Sequence, residues 1–534
     1  MKKFLCITIA FSAALAIRLY PVFLSGLPFS TDSWGPIRNT ELLLEHTPIS
    51  LDSPIMDGYN SYWPANSLFG AVFSQIMGLK PMMTMAIGIP LAGALTIPIF
   101  FTLIYRISQS FNLAFFSSIL LATIYPYAHF TAGVTKETYA NPLYMLLILI
   151  FLSRGKWRKM MLFAIASLAL IMSHHLTTFI TIAVLSSIAL GSFIIGIKKG
   201  TSSDKTSFLF VVLLAALTVL YFELYAYRGF KITITPSELL SLASYMILAF
   251  AIALYFVFKT QKPSNWKTFI TCIVSAIIAF LIAFLLTKRP ITPEAPILPE
   301  YYMLYAIPFI LMSPLIVLGI EELRSIGKDN HVFLFWFSTL AGLEAYATFG
   351  DSPLGITLVQ RVLNFLCIPM IILSAFGLQR LYKVYSGHRR QIAAKTIAIV
   401  GLIAIVVMNS YNMYASINLQ ERYMGYYWLY DQTEYYAAAW IKSVSYNNAI
   451  AGDAKVSHLL SGYFKLNVDV LQGLQYFMGK TDLKPQILFI YEQMLRNGYV
   501  IYKGYSVELP EDWKEKLNDF NLIYSNGPVN IYGE

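Results

Sequence analysis

Charge is what this sequence has least of. Only 13% of its 534 residues are Asp, Glu, Lys or Arg, against 57% hydrophobic, and no soluble fold of this length buries such a composition comfortably. Cysteine is nearly absent: Cys6, Cys272 and Cys367 all fall in apolar runs, which excludes a disulfide framework and a cysteine metal site. No phosphate-cradling glycine-rich loop, Walker lysine or clustered Cys/His spacing occurs, so the chain lacks the parts for nucleotide hydrolysis. A basic patch interleaved with aromatics is missing from the C-terminal stretch too, and the net charge of +10 does not point to nucleic acid.

What is present is a series of apolar runs, at about 4–24, 82–105, 113–129, 139–153, 160–173, 178–197, 207–226, 241–258, 268–287, 303–320, 332–350, 363–379 and 396–414. Each is long enough, or nearly so, to cross a hydrocarbon core of about 30 Å as a helix. The first run follows Lys2 and Lys3, contains Arg18 and lacks a clear small-x-small cleavage site, so it reads as an uncleaved span. The expectation is a polytopic α-helical membrane protein of about 13 transmembrane helices over residues 1–414. Residues 415–534, where charges and turn residues return, form a small soluble α/β domain.

Loop charges set the orientation. With the N-terminus inside, the inner segments hold about 20 Lys and Arg against about four acids, and the outer loops about eight against about eleven. The positive-inside rule therefore places the N-terminus in and the tail out, at the extracytoplasmic face of a cell membrane. The basic excess is topological, with some attraction to anionic membrane lipid.

The first outer loop, 25–81, is long, and its apolar stretch Trp63–Leu79 is short for a span, which suggests an interfacial or re-entrant helix. In the tail, "TEYYAAAWIKSV" reads as a helix, "AIAGDA" as a strand, "PEDWKEKL" as a helix start, and "NLIYSNGPVNIYG" as two strands about an Asn526-Gly527-Pro528 turn.

Four clusters at outer helix ends could carry chemistry: Asp32 with Asp52 and Asp57, Lys136 with Glu137, His174 with His175, and Asp351 with Arg361. Asp32 could accept a proton from an acceptor hydroxyl or help hold a divalent cation; the plainer alternative is a cap on the helix starting near Trp34. Glu137 could be a second ligand or hydroxyl acceptor, and Lys136 could contact an anion; otherwise the pair is a solvated helix start. Adjacent histidines on a helix point about 100° apart, so His174 and His175 do not chelate one metal together; one could bind a sugar or phosphate oxygen. The planar fork of Arg361 suits phosphate, the alternatives being a snorkelling residue or a bridge to Asp351.

Together "STDSW", "DGYNSYWPANSLFGAV", "TKETYANPL", "SHHLTT", "QRVLNFLCIP" and "TEYYAAAWIKS…AIAGD" resemble, in order and spacing, the GT-C superfamily of membrane glycosyltransferases. The likeness extends to the oligosaccharyltransferase catalytic subunit, although "YYWLYD" stands where that group has a Trp-Trp-Asp motif. It implies a sugar donor on a polyprenyl phosphate or diphosphate and a glycan, lipid or protein acceptor. It further implies Asp32 as catalytic base or as ligand of a divalent cation such as Mg or Mn, with Glu137 as the corresponding second-loop acid. Arg361 and Lys136 would take the donor phosphate, and Asp57, His174 and His175 would assist substrate binding. Two rival classes are a transporter or flippase-like protein, which would want ionisable residues near the midplane and an internal repeat, and an inactive relative that binds a lipid-linked glycan.

Overall fold

A computed structural model describes residues 2–46, 48, 55–56, 58–153, 156–200, 205–229, 234–259, 265–290, 297, 299–326, 331–350, 353–383, 388–419, 425–444, 449–501 and 506–534. Among them ten helices are long and apolar enough to cross a membrane, from Phe4–Ser25 to Lys395–Asn418, as a multi-pass membrane protein requires. The other three expected spans are shorter helices. Run 139–153 belongs to Lys136–Phe151, run 160–173 coincides with Met160–Ser173, and run 113–129 is divided into Phe111–Thr123 and Tyr125–Phe130. The division falls at Ile124 (φ −59°, ψ 122°), because Pro126 has no N–H with which to continue the ladder.

The chain forms two compact units. The first comprises Met1–Ile17, Ala92–Phe130 and Ala140–Asn412. Its core is apolar, with Phe100, Tyr144, Phe163, Trp336 and Phe365 all buried. Helices Met303–Ile326 and Pro353–Lys383 pack backbone to backbone, since a Cβ on Gly319 would lie 1.9 Å from the Leu373 carbonyl oxygen and one on Gly377 2.0 Å from that of Leu315. Small residues permit such close approach where hydrophobic force between helices is weak. One end of this pair is tied by Arg380 to Glu321 at 2.7 Å, with the Thr268 hydroxyl donating to the same carboxylate at 2.9 Å. Helices Pro236–Phe258 and Asn265–Leu286 instead expose Leu, Ile and Phe along their length, the surface a helix offers to hydrocarbon.

The second unit comprises Arg18–Leu91, Thr131–Tyr139 and Met413–Glu534. Its sheet has the order β2 (Val468–Asp469), β1 (Ile450–Ala451), β3 (Ile487–Tyr491), β7 (Val529–Gly533), β6 (Asn521–Ser525). β1 runs parallel to β2 and β3, whereas β7 is antiparallel to β3 and β6. A separate pair joins β4 (Tyr499–Val500) to β5 (Ser506–Val507). The β6–β7 hairpin turns as expected at Asn526–Pro528, with Gly527 at φ +92°. Helix Gln432–Ser443 begins with a capping box in which the Thr433 N–H donates to the Asp431 carboxylate at 2.8 Å and the Asp431 N–H to Glu434 at 3.0 Å. Asp431, the acid of "YYWLYD", is thus spent on starting a helix.

Candidate functional site

Trp34 explains how the first loop and the tail come to share one core. The side chain is fully buried, meeting Tyr430 edge-on at 5.0 Å and Tyr463 at 5.6 Å. Its helix, Trp34–Glu45, has Ser33 as N-cap residue without a side-chain cap, so Asp32 does not serve as the cap. Asp32 lies instead in the 3-10 turn Thr31–Ser33, where its N–H donates to Ser30 Oγ at 3.3 Å, and it is exposed.

Two hydrogen bonds hold segment 131–139 and the tail against this turn, and a further one ties that segment to the first helix. The Ser33 hydroxyl donates to the Phe29 carbonyl and accepts from the Val134 N–H at 2.9 Å. The Ser30 N–H donates to the Trp428 carbonyl at 2.8 Å. Buried Arg18 donates from Nε to Thr131 Oγ1 at 2.8 Å. Gly133 is needed for the approach, as a Cβ there would sit 2.7 Å from that of Ser30.

This clamp brings Lys136 under the influence of Asp32. Lys136 is buried ahead of the apolar run 139–153, with its ammonium 5.9 Å from the centre of the Trp63 ring. Burial pushes it down to about 7, and the Asp32 carboxylate opposes that shift. Glu137 beside it is also buried, in the first turn of its helix, where the dipole favours an anion.

A residue that the sequence did not single out completes the surroundings. His458, on helix Ala454–Leu460, is half-buried, and its Nε2 lies 3.4 Å from the Tyr427 hydroxyl. Burial lowers its pKa, and the Asp32 carboxylate acts the other way. No local motif marks it in "AKVSHLL", because its relation to Asp32 spans more than four hundred positions of chain.

The remaining candidates fall elsewhere. His174 and His175 belong to the first unit, at the junction of Met160–Ser173 and His175–Lys199. Their rings are tilted 56° to one another, and His174 Nδ1 is 2.8 Å from the Thr177 hydroxyl. Arg361 also belongs to that unit, half-buried on helix Pro353–Lys383. Asp52, Asp57 and Asp351 lie outside the described residues. Among the described residues, no three His, Cys, Asp or Glu side chains cluster so as to hold a metal ion.

No family model and no curated protein matches the chain. Solved structures do. The chain is similar to the archaeal oligosaccharyltransferase AglB from Archaeoglobus fulgidus in complex with an inhibitory peptide and a dolichol-phosphate, at 12% identity and a TM-score of 0.61, covering 93% of this chain and 70% of that one. It is similar to the same organism's oligosaccharyltransferase in complex with Zn and sulfate, at 14% identity and a TM-score of 0.59, covering 92% and 68%. ArnT from Cupriavidus metallidurans bound to undecaprenyl phosphate aligns at 11% identity and a TM-score of only 0.40, covering 98% and 97%, and nothing rests on it. The first two bear out the GT-C resemblance as a likeness of fold.

Proposed function

We propose that the protein is a membrane glycosyltransferase that moves a sugar from a polyprenyl-phosphate or -diphosphate donor to an acceptor at the outer face of the membrane. The observation that carries this reading is the exposed Asp32 turn, hydrogen-bonded both to segment 131–139, which leads into buried Lys136 and Glu137, and to the tail. The fold likeness to an oligosaccharyltransferase complexed with dolichol-phosphate supports it.

In this reading the acceptor hydroxyl oxygen attacks the anomeric carbon while Asp32 takes its proton. The bond from that carbon to the donor phosphate oxygen breaks, and the phosphate leaves with the electron pair. Lys136 neutralises the charge gathering on the phosphate. Burial disfavours the charged form of Lys136, and an anionic phosphate nearby favours it. Glu137 takes a substrate hydroxyl. A divalent cation such as Mg or Mn would use the hard oxygens of Asp32 and Glu137. The described donors form no three-membered set, so no step is routed through a metal.

Asp32→Asn is expected to reduce sugar transfer in membranes about a thousandfold, and Lys136→Ala to raise the donor KM. Normal transfer by both variants would overturn the assigned roles. Solute uptake that follows expression without any sugar turnover would favour the transporter class, and tight lipid-linked sugar binding without turnover would favour an inactive relative.

A further inference from the structure

Helix Gln432–Ser443 of the tail starts at the end of a membrane span. Its first residue, Gln432, donates from Nε2 to the Ser25 carbonyl at 3.2 Å, and Ser25 closes the span Phe4–Ser25. Gly26 follows at φ +71°, and a Cβ there would lie 2.8 Å from the same Nε2, so glycine is what lets the helix come this close. All of these residues belong to the second unit. Phe23 and Leu24, 73% and 50% exposed, present apolar side chains just before Ser25, as a span does up to the edge of the hydrocarbon. The end of the last span is bonded here too, Asn418 donating from Nδ2 to the Tyr20 hydroxyl at 2.7 Å.

The flank of the helix that carries Gln432 also carries large side chains left outside the core. Tyr436 and Trp440 follow Gln432 at four-residue spacing, and Val444 continues the row just past the helix end. Glu434, Ala438 and Ile441 are buried on the other side. Tyr436 is 59% exposed and Val444 is 42% exposed. Trp440 stacks on Tyr524 of β6 at 4.7 Å with the planes 27° apart. Asn526 donates from Nδ2 to the Thr433 carbonyl at 2.8 Å, so the β6–β7 hairpin fixes the helix at two points.

Composition narrows what covers the row. Tyr and Trp, each an apolar body with a polar tip, are the side chains enriched at headgroup level. The row holds no acid, and Lys442, exposed in the last turn, is the kind of flanking cation that lies against anionic lipid. Three side chains also fall well short of the roughly 800 Å² that each partner gives to a standard protein interface. Lipid, which already surrounds Phe23 and Leu24, needs no such area.

We infer that the row of Tyr436, Trp440 and Val444 is a lipid-docking surface. Helix Gln432–Ser443 lies in the headgroup layer of the membrane that holds the spans, with its first turn fixed at Ser25. The surface stands apart from the transferase reading, and its test needs no turnover.

Trp440 is its own probe. With full-length protein in phosphatidylcholine nanodiscs, the emission lost in Trp440→Phe isolates this indole from the other tryptophans. Lipid brominated near the top of its acyl chains should quench that emission by about half, because an interfacial helix sinks about 5–10 Å into the headgroup boundary, and aqueous iodide should quench it by less than about a tenth. Tyr436→Trp, at a mostly exposed position, adds a second indole that should respond in the same way. Tyr436→Glu places a charge in the row; it should cut the bromolipid quenching of Trp440 at least about twofold and raise that by iodide, with thermal stability unchanged. Strong iodide quenching without a bromolipid effect would put the row in water, and protection from both quenchers would mean that another protein surface, a second copy of this chain included, covers it. Bromolipid quenching unmoved by Tyr436→Glu would mean that the row does not dock. Each of these results would overturn the inference.

Discussion

The two compact units bury polar side chains in different ways. In the first unit most of them bond their own helix one turn back: Ser117 to the Leu113 carbonyl at 2.7 Å, Ser118 to Ala114 at 2.8 Å, Thr181 to Thr177 at 2.6 Å and Ser374 to Met370 at 2.8 Å. In the second unit they bridge remote segments and include full charges, as in Ser33 with Val134 and Glu434 with Lys455. A helix in hydrocarbon must be satisfied before its neighbours arrive, and local back-bonding does that. Segments facing water can wait, so their polar bonds are free to gather distant residues. That is how Asp32, Lys136 and His458 come to share surroundings.

If this contrast is real, the second unit should be far more sensitive to loss of a single buried partner. Lys455→Met is the severest case. The Lys455 and Glu434 side chains are almost wholly buried, and the ammonium also lies 4.7 Å from the Tyr491 ring centre and 5.1 Å from that of Tyr430. Removing it leaves a buried carboxylate unpaired, at a cost of about 3–5 kcal/mol. Unfolding of the tail followed by limited proteolysis measures this, and a loss below about 1 kcal/mol would break the contrast.

Next in size is a pH effect. Asp453 is fully buried at the start of helix Ala454–Leu460, accepting from the Val456 N–H at 3.0 Å, the Val500 N–H at 3.3 Å and the Tyr491 hydroxyl. Burial outweighs these bonds and raises its pKa from 3.8 to about 6. A raised folded-state pKa means that the native state holds the proton more tightly. This stabilising contribution is fully present below pH 3.8 and is lost as pH rises through 6, amounting to about 3 kcal/mol. Asp453→Asn, which keeps a capping oxygen, should flatten the dependence of tail stability on pH between about 4 and 6. A profile identical to that of the parent protein would assign the titration to another group.

Much of the first unit was legible because hydrophobic length is a local property, and ten expected spans reappear as long apolar helices. The tail hairpin was legible for a similar reason, Asn526-Gly527-Pro528 being a turn signal that needs no context. What could not be read is set by distance along the chain. "TDS" before Trp34 looks like a cap, yet the Ser33 hydroxyl is drawn off by Phe29 and Val134, and Val134 lies a hundred positions away. Likewise "YYWLYD" reads as a displaced motif until Asp431 is seen starting a helix and Trp428 accepting from Ser30. His458 had no local signal at all.

The smallest expected effect sharpens the comparison most, because the same atom is deleted in both units. Tyr491→Phe removes a hydroxyl that donates to the Asp453 carboxyl. At pH 8, where that acid is ionised, a charge-assisted bond of this kind contributes about 1.5–3 kcal/mol. Tyr144→Phe removes the hydroxyl that accepts from Trp336 Nε1 at 2.7 Å in the first unit, where both side chains are fully buried. An orphaned indole N–H would cost as much in a water-soluble core, yet helices unfolded within a bilayer still find other partners. Measured side-chain bonds there average about 0.6 kcal/mol. Tyr144→Phe should therefore cost about 0.6 kcal/mol by unfolding in mixed micelles, well below Tyr491→Phe. Equal losses would mean that the reference state, rather than local satisfaction, does not distinguish the units.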